Sequence, residues 1–229
     1  MLVTGTRKGI GRYLVEYYIE KGFIVIGCSR EPTECALENY KHFCLDVSDE
    51  EQVKRMFSEI RRTYGHLEIL VNNAGIASMN HFLLTPLKTV HKIFNTNVFG
   101  TFLFCQEAAK LMKKNNYGRI VNFSTIATPL KLEGEAVYAA SKAAINSLTQ
   151  VLAKEVSLYG ITINAVGPTP VQTDLIRGVT EEKINALLSQ QSIRRFGAMQ
   201  DISNVIDFFI APESSFITGQ IIYLGGVSA

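Results

Sequence analysis

Short apolar segments alternate along the chain with longer segments in which apolar residues recur every three or four positions. The short segments have the composition of buried β-strands, and the longer ones have the spacing of amphipathic helices. After an apolar start at Met1–Val3, the predicted strands are Phe23–Cys28, Phe43–Leu45, Leu67–Asn72, Arg119–Ser124, Ile161–Val166 and Ile221–Leu224. The predicted helices are Ile10–Lys21, Glu50–Tyr64, Thr101–Lys114, Ala136–Leu158 and Glu181–Gln190.

This alternation predicts βαβ units, and therefore an α/β fold with a parallel sheet covered by helices on both faces. A chain of 229 residues is long enough for one such domain and short for two. We therefore expect residues 1–229 to form a single domain. Sheets of this kind bind ligands at the carboxyl ends of their strands, near the point where the strand order reverses. The turns that follow strands are thus the places to search for function.

Charge and composition limit the kinds of molecule that the chain is expected to bind. The chain has 23 basic and 21 acidic residues and a formal net charge of +2, which predicts binding neither to nucleic acid nor to an anionic membrane. No apolar run approaches the roughly 20 residues that span a bilayer. Cys28, Cys35, Cys44 and Cys105 lack CxxC spacing, so we expect packed, reduced thiols in a cytoplasmic protein. The histidines form no ligand cluster, and no metal site is predicted.

A glycine-rich turn follows the apolar start and opens the first predicted helix, with the sequence Thr4-Gly-Thr-Arg-Lys-Gly-Ile-Gly11. Glycines let the backbone turn tightly and approach a pyrophosphate, whose charge is met by N–H groups at the helix N-terminus. We therefore predict phosphate binding here in preference to a plain turn. The candidate contacts are Gly5, Arg7, Lys8, Gly9, Ile10 and Gly11.

Tyr138 and Lys142 lie four residues apart in a predicted helix, so their side chains project from one face about one turn apart. An ammonium close to a phenol favours the phenolate, so we expect Lys142 to lower the pKa of Tyr138 from its usual value of about 10. A tyrosine tuned in this way can protonate a substrate oxygen. Taken alone, the pair is better explained as part of an exposed helix face, and its functional interpretation depends on the motifs that precede it.

Three motifs in this order resemble the short-chain dehydrogenase/reductase family: Gly5-x-x-x-Gly9-x-Gly11, Asn72-Asn-Ala-Gly75 and Tyr138-x-x-x-Lys142. The resemblance covers nearly the whole chain. It continues through Asn97-Val-Phe-Gly100, Asn164-Ala-Val-Gly-Pro168, Thr173-Asp174 and Phe216-Ile-Thr-Gly-Gln220. It implies a Rossmann-type, doubly wound parallel sheet of about seven strands. It also implies a nicotinamide dinucleotide and hydride transfer between its C4 and a carbonyl or alcohol carbon.

The residues after the second predicted strand bear on the choice of dinucleotide. NAD-binding proteins usually place a carboxylate there, whereas a 2′-phosphate needs cations. The segment from Gly27 to Ser29 has no carboxylate, and Ser29 with Arg30 resembles the family's NADP pattern, as does Lys8. We therefore expect NADP(H) to be preferred over NAD(H). The alternative is that Glu31 holds the ribose and the cations are ordinary surface charges.

The resemblance implies further cofactor contacts. Asp46 matches the residue that receives the adenine amino group, although Ser48-Asp-Glu-Glu51 has the form of a capping box that would explain the local acidity structurally. Thr173 matches the threonine that fixes the nicotinamide carboxamide. The remaining implied contacts are Val47, Asn73, Ala74, Gly75, Pro168 and Val171.

The family's chemistry implies four catalytic residues. Tyr138 is the proton donor, Lys142 tunes it and holds the nicotinamide ribose, and Asn97 matches the asparagine that kinks a helix and orders a relay water. The catalytic serine usually lies thirteen positions before the tyrosine, where this chain has Thr125. We therefore expect the Thr125 hydroxyl to steady the substrate oxygen, with Ser124 taking that place if the turn bulges by one residue.

The overall pattern is most like the 3-oxoacyl-[acyl-carrier-protein] reductase branch, which belongs to fatty acid biosynthesis. We therefore expect an NADPH-dependent ketoreductase for a small or carrier-bound carbonyl substrate, with residues 174–195 as the substrate lid. An alcohol, sugar or steroid dehydrogenase of the same family is one alternative, and a non-catalytic dinucleotide-binding sensor or scaffold is another. Family members commonly form homotetramers through two long helices, here Thr101–Lys114 and Ala136–Leu158.

Overall fold

The fold is a seven-stranded parallel sheet with helices on both faces, as seen in a computed structural model that describes residues 1–33, 37–171 and 180–228. The strand order is β3-β2-β1-β4-β5-β6-β7. The strands are β1 (Leu2–Thr4), β2 (Val25–Ser29), β3 (Tyr40–Cys44), β4 (Ile69–Asn72), β5 (Gly118–Phe123), β6 (Ile161–Gly167) and β7 (Ile221–Tyr223). The predicted α/β class and parallel sheet are confirmed.

Eight α-helices are described in the ranges given above. They are α1 (Gly9–Glu20), α2 (Glu50–Tyr64), α3 (Leu87–Phe94), α4 (Gly100–Met112), α5 (Ala127–Leu130), α6 (Ala136–Val156), α7 (Glu181–Ser189) and α8 (Met199–Ile210). Helices α2, α4 and α6 contribute to one apolar core and α1 and α8 to the other, on opposite faces of the sheet. Strands β5 and β6 are buried throughout, because parallel strands between two helical layers meet no water.

The strand order reverses between β1 and β4. From β1 the chain builds outward through β2 and β3, and it then returns to place β4 on the other side of β1. The connections after β1 and β4 therefore leave the sheet in different directions and open a crevice at its carboxyl edge. The glycine-rich turn after Thr4 and the segment after Asn72 both lie at this crevice.

The third strand and three helices differ from the sequence prediction. Strand β3 is an edge strand whose residues are half-buried or exposed, so it lacks the continuous apolar run that marks the buried strands, and it begins at Tyr40 instead of Phe43. Helices α3, α5 and α8 were not predicted. Helix α8 is nevertheless amphipathic, with Ile202 and Ile206 one turn apart in the core.

Three further observations concern the cysteines, membrane-spanning helices and groups of metal-ligating side chains. Cys28 and Cys105 are buried and unpaired as expected, whereas Cys44 is exposed because it lies on the edge strand; Cys35 falls outside the described residues. Within the described ranges, no helix is long and apolar enough to cross a membrane. The same residues contain no group of three or more His, Cys, Asp or Glu side chains that could hold a metal ion.

Candidate active site

The glycine-rich turn is held in a conformation that other residues would not adopt. Gly5 and Gly9 have φ angles of 74° and 58°, in the left-handed region that favours glycine. Gly11 packs so closely on the turn that a Cβ there would lie 2.1 Å from the Gly5 carbonyl oxygen. The turn therefore needs glycine at all three predicted positions.

The segment after β4 braces this turn. The Asn73 side-chain amide donates to the carbonyl oxygens of Thr4 and Gly5 at 2.9 and 3.2 Å. The backbone N–H of Ala74 donates to the Thr4 hydroxyl at 2.9 Å. The predicted motif from Asn72 to Gly75 thus fixes the distance between two strand ends on either side of the crevice.

The start of α1 fits an anionic group such as a pyrophosphate. Its N-cap is Lys8, which makes no side-chain capping bond to the helix, and the first turn contains no acidic residue. The N–H groups of the first turn, at Gly9, Ile10 and Gly11, therefore receive no side-chain cap from Lys8. Arg7 and Lys8 add exposed positive charge at the same place. The chain's own residues accordingly suit the dinucleotide that the motifs imply.

The end of β2 lies beside the same turn. Arg7 forms an ion pair with Glu31, with 2.7 Å between Nη1 and Oε2. The Ser29 hydroxyl donates to the Glu31 carbonyl oxygen at 2.6 Å and lies 3.0 Å from His42 Nε2. The predicted contacts Ser29 and Arg30 thus lie next to the glycine-rich turn. The ion pair between Glu31 and Arg7 links this segment to the turn.

The Asp46 carboxylate has a structural role in the turn that follows it. Its Oδ1 accepts hydrogen bonds from the Ser48 N–H and hydroxyl at 2.9 and 2.7 Å. The capping box predicted at Ser48 is wrong by one residue: Asp49 caps α2 and accepts two hydrogen bonds from Gln52, one from its backbone N–H and one from its side-chain amide. Val47, the next implied contact, is buried beneath Gly100, where a Cβ would lie 2.8 Å from Val47 Cγ2.

The Thr125 hydroxyl lies close enough to the Tyr138 side chain to lower the pKa of the phenol. The Thr125 Oγ1 also accepts the N–H of Ala127 at 3.2 Å, which orients the hydroxyl at the end of β5. The Ser124 hydroxyl is buried without a hydrogen-bond partner, on the other side of the chain. Of the two candidates that the sequence left open, the structure brings Thr125 and not Ser124 into contact with the tyrosine.

The effect of Lys142 on Tyr138 differs from the expectation. Burial raises the pKa of Tyr138 to about 12, the Thr125 hydroxyl opposes this shift, and the nearby Glu135 carboxylate adds to it. Burial also lowers the pKa of Lys142 to about 8. The Lys142 ammonium donates to the Phe123 carbonyl oxygen at 2.7 Å. Removal of the phenol from water therefore outweighs the expected effect of Lys142 on the pKa of Tyr138. Spacing along a helix cannot reveal this desolvation.

Asn97 lies in a π-helical turn, Asn95–Phe99, between α3 and α4, in agreement with the expected helix distortion. Its side chain exchanges two 2.9 Å hydrogen bonds with the backbone of Ile76. It also donates to the Ser141 hydroxyl at 3.0 Å. A Cβ on Gly75 would lie 3.4 Å from Asn97 Oδ1 and 3.5 Å from Lys142 Nζ, so the glycine keeps the space between them open.

The segment after β6 completes the site as far as it is described. The Pro168 carbonyl accepts the Ile126 N–H at 3.3 Å, and Val171 pairs with Gly197. Thr169, where the resemblance implies glycine, is buried and lies outside the left-handed φ region, so its β-branched side chain causes no backbone strain. Thr173 lies outside the described residues, and the predicted lid is described only from residue 180 onward.

Sequence reasoning missed several residues at this site. Ser141 joins Asn97 to the Tyr138 carbonyl, to which it donates at 2.7 Å. Glu135 affects the Tyr138 pKa, and its position one helical turn before the tyrosine was an available signal. His42 touches Ser29 but lies just before the predicted start of the third strand at Phe43, and only the alternation of side chains along the full edge strand would have pointed to it.

Comparison with known proteins agrees with this architecture. A family model described as enoyl-(acyl carrier protein) reductase matches residues 5–227. The 3-oxoacyl-[acyl-carrier-protein] reductase FabG of Escherichia coli (strain K12) is 32% identical over 231 residues, covering 98% of this chain and 95% of FabG.

Two solved structures are similar over nearly their whole length. ElxO with NADP bound has a TM-score of 0.89 and 31% identity, covering 98% of this chain and 96% of ElxO. A short-chain dehydrogenase from Leptospira borgpetersenii with bound NAD+ has a TM-score of 0.90 and 25% identity, covering 99% and 91%. The motifs, the strand order and these matches agree, and the chain belongs to the short-chain dehydrogenase/reductase family of oxidoreductases.

Proposed function

We propose that this protein is an NADPH-dependent ketoreductase that reduces 3-oxoacyl thioesters, including those on an acyl-carrier protein. The observation that carries the proposal is the proximity of the Thr125 hydroxyl to the Tyr138 phenol, whose pKa is about 12. A tyrosine with that pKa keeps its proton at neutral pH, as a donor for carbonyl reduction must. The similarity to FabG supports the choice of substrate class.

The side chains have distinct tasks in this proposal. The bound dinucleotide supplies the hydride that the carbonyl carbon receives. Thr125 donates a hydrogen bond to the carbonyl oxygen, and Tyr138 transfers its proton to that oxygen as the C–H bond forms. The charged fraction of Lys142 binds the ribose hydroxyls and favours the phenolate that remains. Asn97 and Ser141 hold the backbone around Tyr138. We also assign them to the route by which the proton that Tyr138 transfers is replaced.

The preference for NADP(H) is part of the proposal. Arg7, Lys8 and Arg30 surround the end of β2 with positive charge, and Ser29 offers a hydroxyl there. Cations at this place suit a 2′-phosphate, which carries negative charge at neutral pH. The structure of ElxO with NADP supports this choice. We also propose a single-domain, cytoplasmic enzyme that assembles as a homotetramer, by analogy with the family.

One observation favours a second candidate. Glu31 is adjacent to Ser29 and Arg30 and already pairs with Arg7, so its carboxylate is placed where an NAD ribose would need an acceptor. The Leptospira relative has NAD+ bound. An NAD-dependent dehydrogenase that oxidises a secondary alcohol, such as a sugar or steroid, is therefore the alternative.

The deciding experiment compares two cofactors and two thioesters. Absorbance at the reduced nicotinamide band would follow NADPH and NADH with acetoacetyl thioester, and with crotonyl thioester as a control that has an alkene and no ketone. We expect consumption of NADPH with the ketone alone. Faster turnover with NADH, or reduction of the alkene instead, would contradict the proposal. Oxidation of sugars or steroid alcohols with NAD+ would support the alternative.

A further inference from the structure

Four side chains form a chain of hydrogen bonds beneath the end of β2. The Tyr40 hydroxyl lies 2.8 Å from Thr6 Oγ1 and 2.8 Å from His42 Nδ1. His42 Nε2 lies 3.0 Å from Ser29 Oγ. His42 therefore connects the glycine-rich turn, through Tyr40 and Thr6, to the residue that we assign to the cofactor's adenosine end.

This arrangement is built into the sheet. Tyr40 and His42 lie on the same side of β3, and His42 is in register with Gly27 on β2. A Cβ on Gly27 would lie 2.3 Å from the Tyr40 hydroxyl and 2.5 Å from Thr6 Oγ1. The glycine thus provides the space through which Tyr40 reaches the turn.

The network accommodates the imidazole in both protonation states. In the structure, the Tyr40 hydroxyl donates to Thr6 Oγ1 and the Ser29 hydroxyl donates to the Glu31 carbonyl oxygen. The Nε2–H can therefore donate to the Ser29 oxygen in both protonation states. In the cation, the Nδ1–H also donates to the Tyr40 oxygen, whereas in the neutral form Nδ1 accepts from Tyr40 once that hydroxyl turns away from Thr6. One added proton therefore reverses the direction of the Tyr40–His42 hydrogen bond, and both N–H groups of the cation have acceptors.

Among the residues that the structure describes, four groups bear on the charge of the imidazole. Burial lowers the pKa of His42, and a contact with the Glu31 carbonyl opposes that shift. The Glu31 carboxylate is paired with Arg7 from the turn. Arg30 follows Ser29, and Tyr40 is the titratable neighbour on β3. A proton on His42 would thus add positive charge next to Ser29, the side chain that we assign to the 2′-phosphate.

We propose that His42 is a specificity-determining residue that couples the choice between NADP(H) and NAD(H) to pH. It positions Ser29 for the 2′-phosphate, and its protonation strengthens binding of the phosphorylated cofactor alone. The inference rests on the proposed adenosine end of the cofactor site, because the 2′-phosphate is the group that distinguishes the two cofactors there. Selectivity for NADPH over NADH therefore rises as the pH falls through the titration of His42.

Binding measurements test this without turnover. The dissociation constants of NADPH and NADH would be measured by nucleotide fluorescence between about pH 5.5 and 8, the range in which histidine titrates. Wild type would be compared with His42→Asn and with His66→Asn, which changes an exposed histidine in the connection between α2 and β4. The ratio of the two constants cancels effects shared by both cofactors. Protonation of the phosphate itself affects wild type and variants alike.

We expect the wild-type ratio to move toward NADPH by about three- to fivefold more than in His42→Asn as the pH falls, the size of a charge interaction near solvent. His66→Asn should follow wild type. Identical pH dependence in wild type and His42→Asn would overturn the inference. Failure of wild type to bind either cofactor would instead overturn the proposed function together with it.

Tyr40→Phe provides a second test should His42→Asn fold poorly. This variant keeps the imidazole but removes the group that accepts the Nδ1–H of the cation. The pH dependence of the cofactor ratio should therefore persist but shift to lower pH. A curve that coincides with wild type would show that the Tyr40–His42 contact does not control selectivity, and would also overturn the inference.

Discussion

Thr125 and Tyr138 are thirteen positions apart in the sequence, but the Thr125 hydroxyl, two residues after β5, acts on the Tyr138 phenol in the first turn of α6. This proximity lets a single carbonyl oxygen accept a hydrogen bond from both hydroxyls. Ser124 takes no part, because adjacent residues of an extended chain point to opposite sides.

The first prediction separates these two hydroxyls. Thr125→Ala should reduce kcat for carbonyl reduction by roughly 10²-fold, since one hydrogen bond to the developing oxyanion is lost. Thr125→Ser should keep most of the activity. Ser124→Ala is the matched control, because it removes a buried hydroxyl that has no partner. Steady-state kinetics with NADPH would check all three, and a larger loss in Ser124→Ala than in Thr125→Ala would contradict the assignment.

Glu135 should set the pH at which the reverse reaction becomes effective. Alcohol oxidation needs deprotonated Tyr138, and the Glu135 carboxylate raises the pKa of that phenol. Glu135→Gln should therefore shift the pH profile of oxidation to lower pH and increase the rate near pH 8 by about threefold, a typical effect of one nearby charge.

Glu133→Gln is the matched control for this prediction, because Glu133 is exposed on the same loop. Its profile should coincide with wild type. If Glu135→Gln leaves the profile unmoved while Glu133→Gln shifts it, Glu135 is not the residue that tunes the phenol.

Lys142 should make the protein's stability depend on pH. Its pKa is about 8 in the folded protein, compared with 10.5 for an unperturbed lysine. The unfolded chain therefore binds more protons between these two values, and stability rises with pH across that window. Lys142→Met removes this dependence. The variant should be more stable than wild type at pH 7 by about 1–3 kcal/mol, and the difference should vanish near pH 10.5.

Urea denaturation at several pH values would measure this difference. Lys154→Met serves as the control, because Lys154 is exposed on the same helix. This variant keeps Lys142, so its stability should follow the wild-type pH dependence. A free-energy difference between wild type and Lys142→Met that stays constant from pH 7 to pH 10.5 would show that Lys142 titrates normally.

Gly11 should be essential for the turn. In Gly11→Ala the new Cβ meets the Gly5 carbonyl, and backbone cannot move aside as a flexible side chain can. We expect loss of cofactor binding and a destabilisation of about 1–3 kcal/mol. Gly22→Ala is the control: its φ of 84° makes it strained, but nothing lies within 4 Å. Calorimetric titration with NADPH should show unaltered binding in that variant, and equal binding in Gly11→Ala would refute the prediction.

The sequence predicted those parts of the site that depend on local spacing. The three glycines of the first turn and the Tyr138–Lys142 pair each lie within a few residues of one another, and strand and helix periodicity placed them at the correct edge of the sheet. Burial was not predictable in the same way. The direction of the Tyr138 pKa shift was wrong because it depends on how completely the folded chain removes the phenol from water.

Contacts between distant segments account for the other omissions. His42 joins Ser29 and Tyr40 across two strands and reaches Thr6 through Tyr40, and the edge strand that carries it has no continuous apolar run to identify it. The two bonds between Asn97 and Ile76, twenty-one positions earlier, were likewise not predicted, although the family resemblance indicated the helix distortion at Asn97. Periodicity along the chain contains no information about such pairings.

The most direct test of the central claim is NADPH consumption with acetoacetyl thioester by wild type and Tyr138→Phe. The phenylalanine keeps the ring and its packing and removes only the proton donor. We predict turnover in wild type and a loss of at least about 10²-fold in kcat in the variant, with NADPH binding retained. Undiminished turnover in Tyr138→Phe would contradict the account, as would wild-type protein that binds NADPH and reduces no ketone.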